Sequence, residues 1–160
     1  MNARLASTLM RTLLLLAAFG LGACSSFERE WRENQVGSAI SRDPFAGAWD
    51  GKWTSSRHGP PANRFGGRLR CIFTPKEAGK YDAHFKANWH GFATTYHVLF
   101  RTERRGGELR FRGEHDLGSL VGGIYRYEGR VTRERFDSTY DSRYDAGRFE
   151  MTRPKPAAAR

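Results

Sequence analysis

The residues of this chain that could do chemistry are mostly aromatic rings with polar tips. Trp53, Trp89, Tyr96, Tyr125, Tyr127 and Tyr140 fall on alternating positions of extended segments. Buried phenols and indoles need hydrogen-bond partners, which a ligand, ordered water or neighbouring rings can supply. In a binding module the tyrosines would orient a ligand's polar group, while Trp53 and Trp89 would contact its apolar body.

Other chemistries find less in the sequence. Of the five histidines, His84 and His90 share one strand face but lie six residues apart, about 20 Å at ~3.3 Å per residue, too far to chelate together. His97 could meet a neighbour only across strands. His115-Asp116 resembles half of a triad, but no Gly-x-Ser-x-Gly nucleophile turn accompanies it. Cys71 alternates with Leu69 and Phe73 and reads as a small buried hydrophobe. Arg70 should face the opposite side of that strand, so it should not activate the thiol. The expectation is no catalytic residue, no metal and no cofactor.

The elements that must position the aromatics are strands. From Phe45 onward the apolar period is two, and no long 3.6-residue stripe returns. Strands are expected near 47–55, 67–74, 81–90, 93–103, 108–115, 134–142 and 147–153, with a sixth in chain order carrying Tyr125, Tyr127, Gly129 and Val131 on one side. Short links join them, and no helix is left to cover a second sheet. A sheet closed on itself satisfies these conditions, because closure removes its edges. The predicted fold is all-β, a roughly eight-stranded antiparallel up-and-down barrel, with a β-sandwich as the alternative. Such a barrel is at the size where side chains either fill the interior or leave room for one small ligand. The large inward rings, relieved only by Gly51, Ala83, Ala87, Gly113 and Gly129, leave that choice open. The charged outer face excludes an outer-membrane pore, which turns its apolar face to lipid.

Ahead of the strands, Arg4 and Arg11 precede a charge-free run from Thr12 to Ala23 with Leu13 to Leu16 at its centre. A basic segment followed by an apolar one is the pattern of an export signal. The run is about a dozen residues against the ~20 that a spanning helix needs. It ends in Leu21-Gly22-Ala23-Cys24, which resembles the lipobox of bacterial lipoproteins. The resemblance implies that residues 1–23 are removed, that Cys24 receives lipid, and that the membrane is reached through that lipid. Ser25 and Ser26, with no Asp there, resemble cargo sorted to the outer membrane, the periplasmic face being favoured over the cell surface.

Residues 24–44 then form a lipidated tether. Phe27 and Trp31, four apart among charges, permit a short helix, and Gly37 and Pro44 end it. Residues 45–153 form the single domain, and 154–160 a disordered tail. Losing Arg4 and Arg11 would leave 25 Lys and Arg against 17 Asp and Glu, a charge of +8. That balance favours anionic envelope partners, lipid phosphates or glycans, over nucleic acid, which an exported protein rarely meets. One remaining cysteine cannot form an internal disulfide, and a monomer is expected.

The stretch Gly47-Ala48-Trp49-Asp50-Gly51-Lys52-Trp53, with the meander behind it, resembles the opening of calycin-like barrels such as lipocalins, avidins and fatty-acid-binding proteins. That resemblance implies a binder of a small amphipathic or apolar ligand, without transferring any binding residue. The alternative is an envelope interaction or structural protein that contacts anionic lipids or glycans through its arginine-rich exterior and has no pocket.

Overall fold

A computed structural model describes residues 26–35, 43–56, 65–77, 79–89, 91–119 and 122–155. The signal expected at 1–23, Cys24 and the end of the expected tail at 156–160 lie outside the described residues. Eight strands follow in order: β1 (Gly47–Ser55), β2 (Gly66–Pro75), β3 (Lys80–Trp89), β4 (Phe92–Arg105), β5 (Glu108–Asp116), β6 (Ile124–Val131), β7 (Arg135–Asp141) and β8 (Ala146–Thr152). Each pairs antiparallel with the next, and β8 returns to β1 through Gly51↔Met151 and Trp53↔Phe149. The predicted up-and-down barrel is therefore the fold. The β1–β8 ladder excludes the sandwich.

Up-and-down order gives the barrel two distinct ends. Odd strands finish and even strands begin at one end, which carries the connections at 56–65, 90–91, 117–123 and 142–145. The other end carries those at 76–79, 106–107 and 132–134, together with the chain's entry near Phe45 and exit near Arg153.

At this second end the interior is filled. Phe73, Phe100, Phe111 and Phe136 are buried on four different strands. Their ring centroids lie 4.5 Å apart for Phe100 and Phe111, 4.9 Å for Phe111 and Phe136, and 5.6 Å for Phe73 and Phe136. Phe45 joins this core and Trp49 Nε1 donates to its carbonyl at 3.2 Å. Arg153 closes the end. Its guanidinium lies 3.7 Å from the Trp49 ring centre and donates to the carbonyls of Pro44 (2.7 Å), Ala46 (2.9 Å) and Ala48 (3.3 Å). Burial lowers its pKa to about 10, which still leaves it cationic at neutral pH.

The inward glycines do not serve as spare volume, contrary to the sequence expectation. A Cβ on Gly51 would stand 2.0 Å from the Glu150 carbonyl oxygen, and one on Gly67 would stand 1.7 Å from that of Asn88. Their role is to let adjacent strands coil closely past one another. Cys71 is fully buried, and burial pushes its thiol well above the ordinary range.

The expected short helix, α1, spans residues 26–35 and packs on the outer face of the barrel. Phe27 and Trp31 form a small second core with Ala48 of β1 and Ile72 of β2. Glu28 accepts from Arg70 at 3.0 and 2.5 Å and from Lys86 at 2.7 Å. The Arg70 guanidinium lies 5.2 Å from the Phe27 ring centre and 5.0 Å from that of Trp31. Outward residues of β3 that read as solvated are consequently covered, and His84 is 6% exposed and Lys86 8%.

Candidate ligand pocket at the open end

The filled core stops at the level of Phe85, Tyr127 and Phe149. Phe85 lies 5.5 Å from Phe149 and 6.5 Å from Tyr127, ring centre to ring centre. Above them, towards the end where β1 finishes, is a pocket of about 160 Å³. Trp53, Ala87, Thr94, Tyr96, Leu117, Tyr125, Tyr127, Tyr140, Asp145 and Phe149 line it. Five of the six aromatics singled out from the sequence, Trp53, Tyr96, Tyr125, Tyr127 and Tyr140, thus meet in one place, contributed by β1, β4, β6 and β7.

Trp89 does not join them. Its alternation is right for the inner face, but it is the last residue of β3 and pairs with Phe92 across the turn. The residue is 46% exposed. Trp89, expected beside Trp53 against a ligand's apolar body, thus stands outside the pocket lining.

The polar tips are largely satisfied within the protein. Trp53 Nε1 donates to the Asn88 carbonyl at 3.2 Å. Tyr140 Oη donates to Asp145 Oδ2 at 2.8 Å, and Asp145 Oδ1 also accepts from Ser55 Oγ and from the Ala146 amide at 2.9 Å. Burial, and next the neighbouring Tyr127 phenol, hold the Tyr96 phenol well above its ordinary pKa. Burial also raises Tyr127 and Tyr140, the latter further through Asp145. All three are neutral at physiological pH. The arrangement offers ring faces and edges, while Tyr140 and Trp53 already spend their protons on protein acceptors.

One side of the pocket is a seam in the wall. β4 pairs with β3 along Lys80↔Arg101 to Trp89↔Phe92, but its ladder with β5 runs only from Arg101↔Arg112 to Arg105↔Glu108. Among the described residues no further rung joins β4 to β5, and Tyr96 and His115 stack across the seam at 6.0 Å.

Sequence reading missed Leu117, Asp145 and Thr94 as lining residues. Leu117 and Asp145 lie in connections, where period-two alternation carries no information. Asp145 left a faint signal as a turn acid following Ser142, whose hydroxyl donates to the Asp145 carbonyl at 2.9 Å.

The other chemistry-bearing residues are dispersed. His84 and His97 are cross-strand partners with rings stacked at 3.9 Å, each held by a carboxylate: Glu30 at 2.7 Å and Asp82 at 2.9 Å. The four groups form a row along the outer wall. Among the described residues, no group of three or more His, Cys, Asp or Glu is placed to hold a metal ion. Among them also, no helix is long and apolar enough to cross a membrane. The chain matches no family model, no curated protein and no solved structure closely enough to indicate a relationship.

Proposed function

We propose that this chain is a lipoprotein of the bacterial cell envelope, held on the outer membrane by lipid on Cys24, whose barrel binds a small, mainly apolar ligand at its open end. It acts as a binder and not as an enzyme. The observation that carries the binding reading is the meeting of five polar-tipped aromatics around one pocket of about 160 Å³. An apolar cavity of about 150 Å³ accepts a benzene-sized guest. The matching ligand portion is therefore one ring or a short alkyl end, with any polar group left at the mouth.

Two measurements test the two halves. Benzyl alcohol, a single-ring probe, should shift the emission of Trp53 in the full chain, and Ala87→Phe, which fills the pocket, should abolish the response. An equal response in the filled variant would refute the pocket. Cys24→Ser should move the protein out of the membrane fraction, and unchanged membrane association would overturn the anchor.

A second reading has one observation in its favour. Lys80, Arg101 and Arg112 are successive cross-strand partners on β3, β4 and β5 and border an outer groove of about 710 Å³. Like charges directly opposite one another are unfavourable unless an anion joins them. Salt-sensitive binding to an anionic glycan, lost in Arg101→Gln with Arg112→Gln and unaffected by Ala87→Phe, would favour this surface over the pocket.

A further inference from the structure

We infer that the open end of the barrel is a membrane-docking surface, its aromatic rim seated in the headgroup layer of the bilayer. The inference rests on the membrane anchoring proposed above and goes beyond it, because a lipid on Cys24 does not by itself say which face of the domain meets the membrane.

Among the described residues six large hydrophobic side chains are exposed, and five of them, Phe65, Trp89, Phe92, Ile124 and Tyr144, stand at the open end. Phe92 is the extreme at 75% exposed. Leu99 stands lower, on the outer wall of β4. Single exposed hydrophobics are ordinary on a protein surface, but a ring of them at one end is a sign of an apolar partner. The opposite end carries Lys76, Glu77, Arg105, Glu108, Arg133 and Glu134 in or beside its turns.

The composition of the rim suits a bilayer surface. Tryptophan and tyrosine collect where lipid headgroups meet hydrocarbon. The Arg143 guanidinium lies 5.6 Å from the Tyr144 ring centre, placing a cation among the aromatics, as anionic headgroups favour. A ring around a mouth also differs from the continuous flat patch that a second copy of the chain would need.

The reach of the anchor agrees. α1 is pinned to the wall by the buried Phe27, and Ser26 is two residues from Cys24, at most about 7 Å of extended chain. Glu28 of α1 holds Lys86, and Trp89 lies three residues farther along β3, about 10 Å towards the rim. Lipid and rim can therefore enter the same leaflet. In that pose the mouth between Trp53 and Tyr96 opens toward the bilayer, and the ligand would be drawn from the membrane.

The test uses the full chain, as lipidated protein and as Cys24→Ser, with phosphatidylethanolamine/phosphatidylglycerol vesicles that contain brominated phosphatidylcholine. The four tryptophans are Trp31, Trp49, Trp53 and Trp89, so the signal segment contributes no emission. Vesicle-bound protein should show quenched emission, Trp89→Phe should remove most of the quenching, and Phe92→Asp with Ile124→Asp should reduce it at least threefold. Leu99→Asp should match the parent. Loss of bulk association in Cys24→Ser, with Trp89 quenching kept in whatever fraction still binds, supports the rim and reports separately on the anchor. Bound protein whose Trp89 is unquenched overturns the inference. So does a rim variant that leaves quenching intact, or one whose only effect is to turn a dimer into a monomer in sedimentation.

Discussion

The two ends of this barrel are made of similar residues put to different uses. At the closed end the rings of Phe73, Phe100, Phe111 and Phe136 meet edge and face, Phe45 comes in from the entering chain, and Arg153 ties three carbonyls together above Trp49. At the open end Tyr96, Tyr125, Tyr127 and Tyr140 ring a space that none of them fills. Phenylalanine can fill an interior because it has no polar atom to satisfy. Tyrosine brings an oxygen that must find a partner, as Tyr140 finds Asp145. The mouth thus sets polar-tipped rings around a pocket, where the other end is packed with phenylalanine.

The largest expected effect breaks this contrast from the packed side. Phe136→Ala removes a fully buried ring from contact with Trp49, Phe73 and Phe111 and should cost about 3–5 kcal/mol in urea unfolding. Tyr125→Ala, at the edge of the open pocket, should cost less than half as much. Equal losses would mean that the mouth is as integral to stability as the core.

A smaller loss is expected from the clasp at the closed end. Arg153→Met keeps the apolar stem over Trp49 but removes the bonds to Pro44, Ala46 and Ala48, and charged hydrogen bonds contribute about 1.5–3 kcal/mol each net. Because the freed carbonyls can regain water, a total of about 2–3 kcal/mol is expected from equilibrium denaturation, with benzyl alcohol binding unchanged. A binding defect in this variant would show that the two ends are coupled.

The smallest effect concerns the wall between the ends. The Arg70 hydrogen bond, and then Lys86, hold the Glu28 carboxyl down at about 2 from 4.5, against its burial. A depressed carboxylate contributes stability that is whole above pH ~4.5 and is lost as pH falls towards 2. Glu28 is 39% exposed, so solvent screening leaves a contribution of about 1 kcal/mol. Acid titration should therefore loosen α1 from the barrel between pH 4.5 and 2, seen as a change in Trp31 emission. Glu28→Gln should lack that step and should already be weakened at neutral pH. An unchanged acid step in Glu28→Gln would assign it to another group.

The strands were legible because one face of each is buried and the side-chain period is two. Tyr81, Ala83 and Phe85 alternate with Asp82, His84 and Lys86 so regularly that β3 could be placed almost to the residue. The covering of His84 and Lys86 was not legible, since an outward position looks the same whether water or a helix lies over it. Ala48 and Ile72, small and apolar on an otherwise charged face, were the available sign of a docked helix. The pocket residues were found as a set because they share the inner face. Trp89 was misplaced because alternation gives a residue's side but not its height along the barrel axis.

By itself the sequence determined what depends on local chemistry and period: an all-β chain of eight short strands, their inner faces, the turns between them and a buried Cys71. Its opening residues also carry the lipobox-like motif on which the anchoring proposal depends. Tertiary structure alone decided how the interior is divided, since filling is a matter of summed volume and of ring contacts such as Phe73 with Phe136, contributed by strands far apart in the chain. It also decided that Phe65, Trp89, Phe92, Ile124 and Tyr144, scattered through eighty residues, gather at one end. Up-and-down closure brings every second connection to the same rim, and that juxtaposition exists only once β8 has met β1.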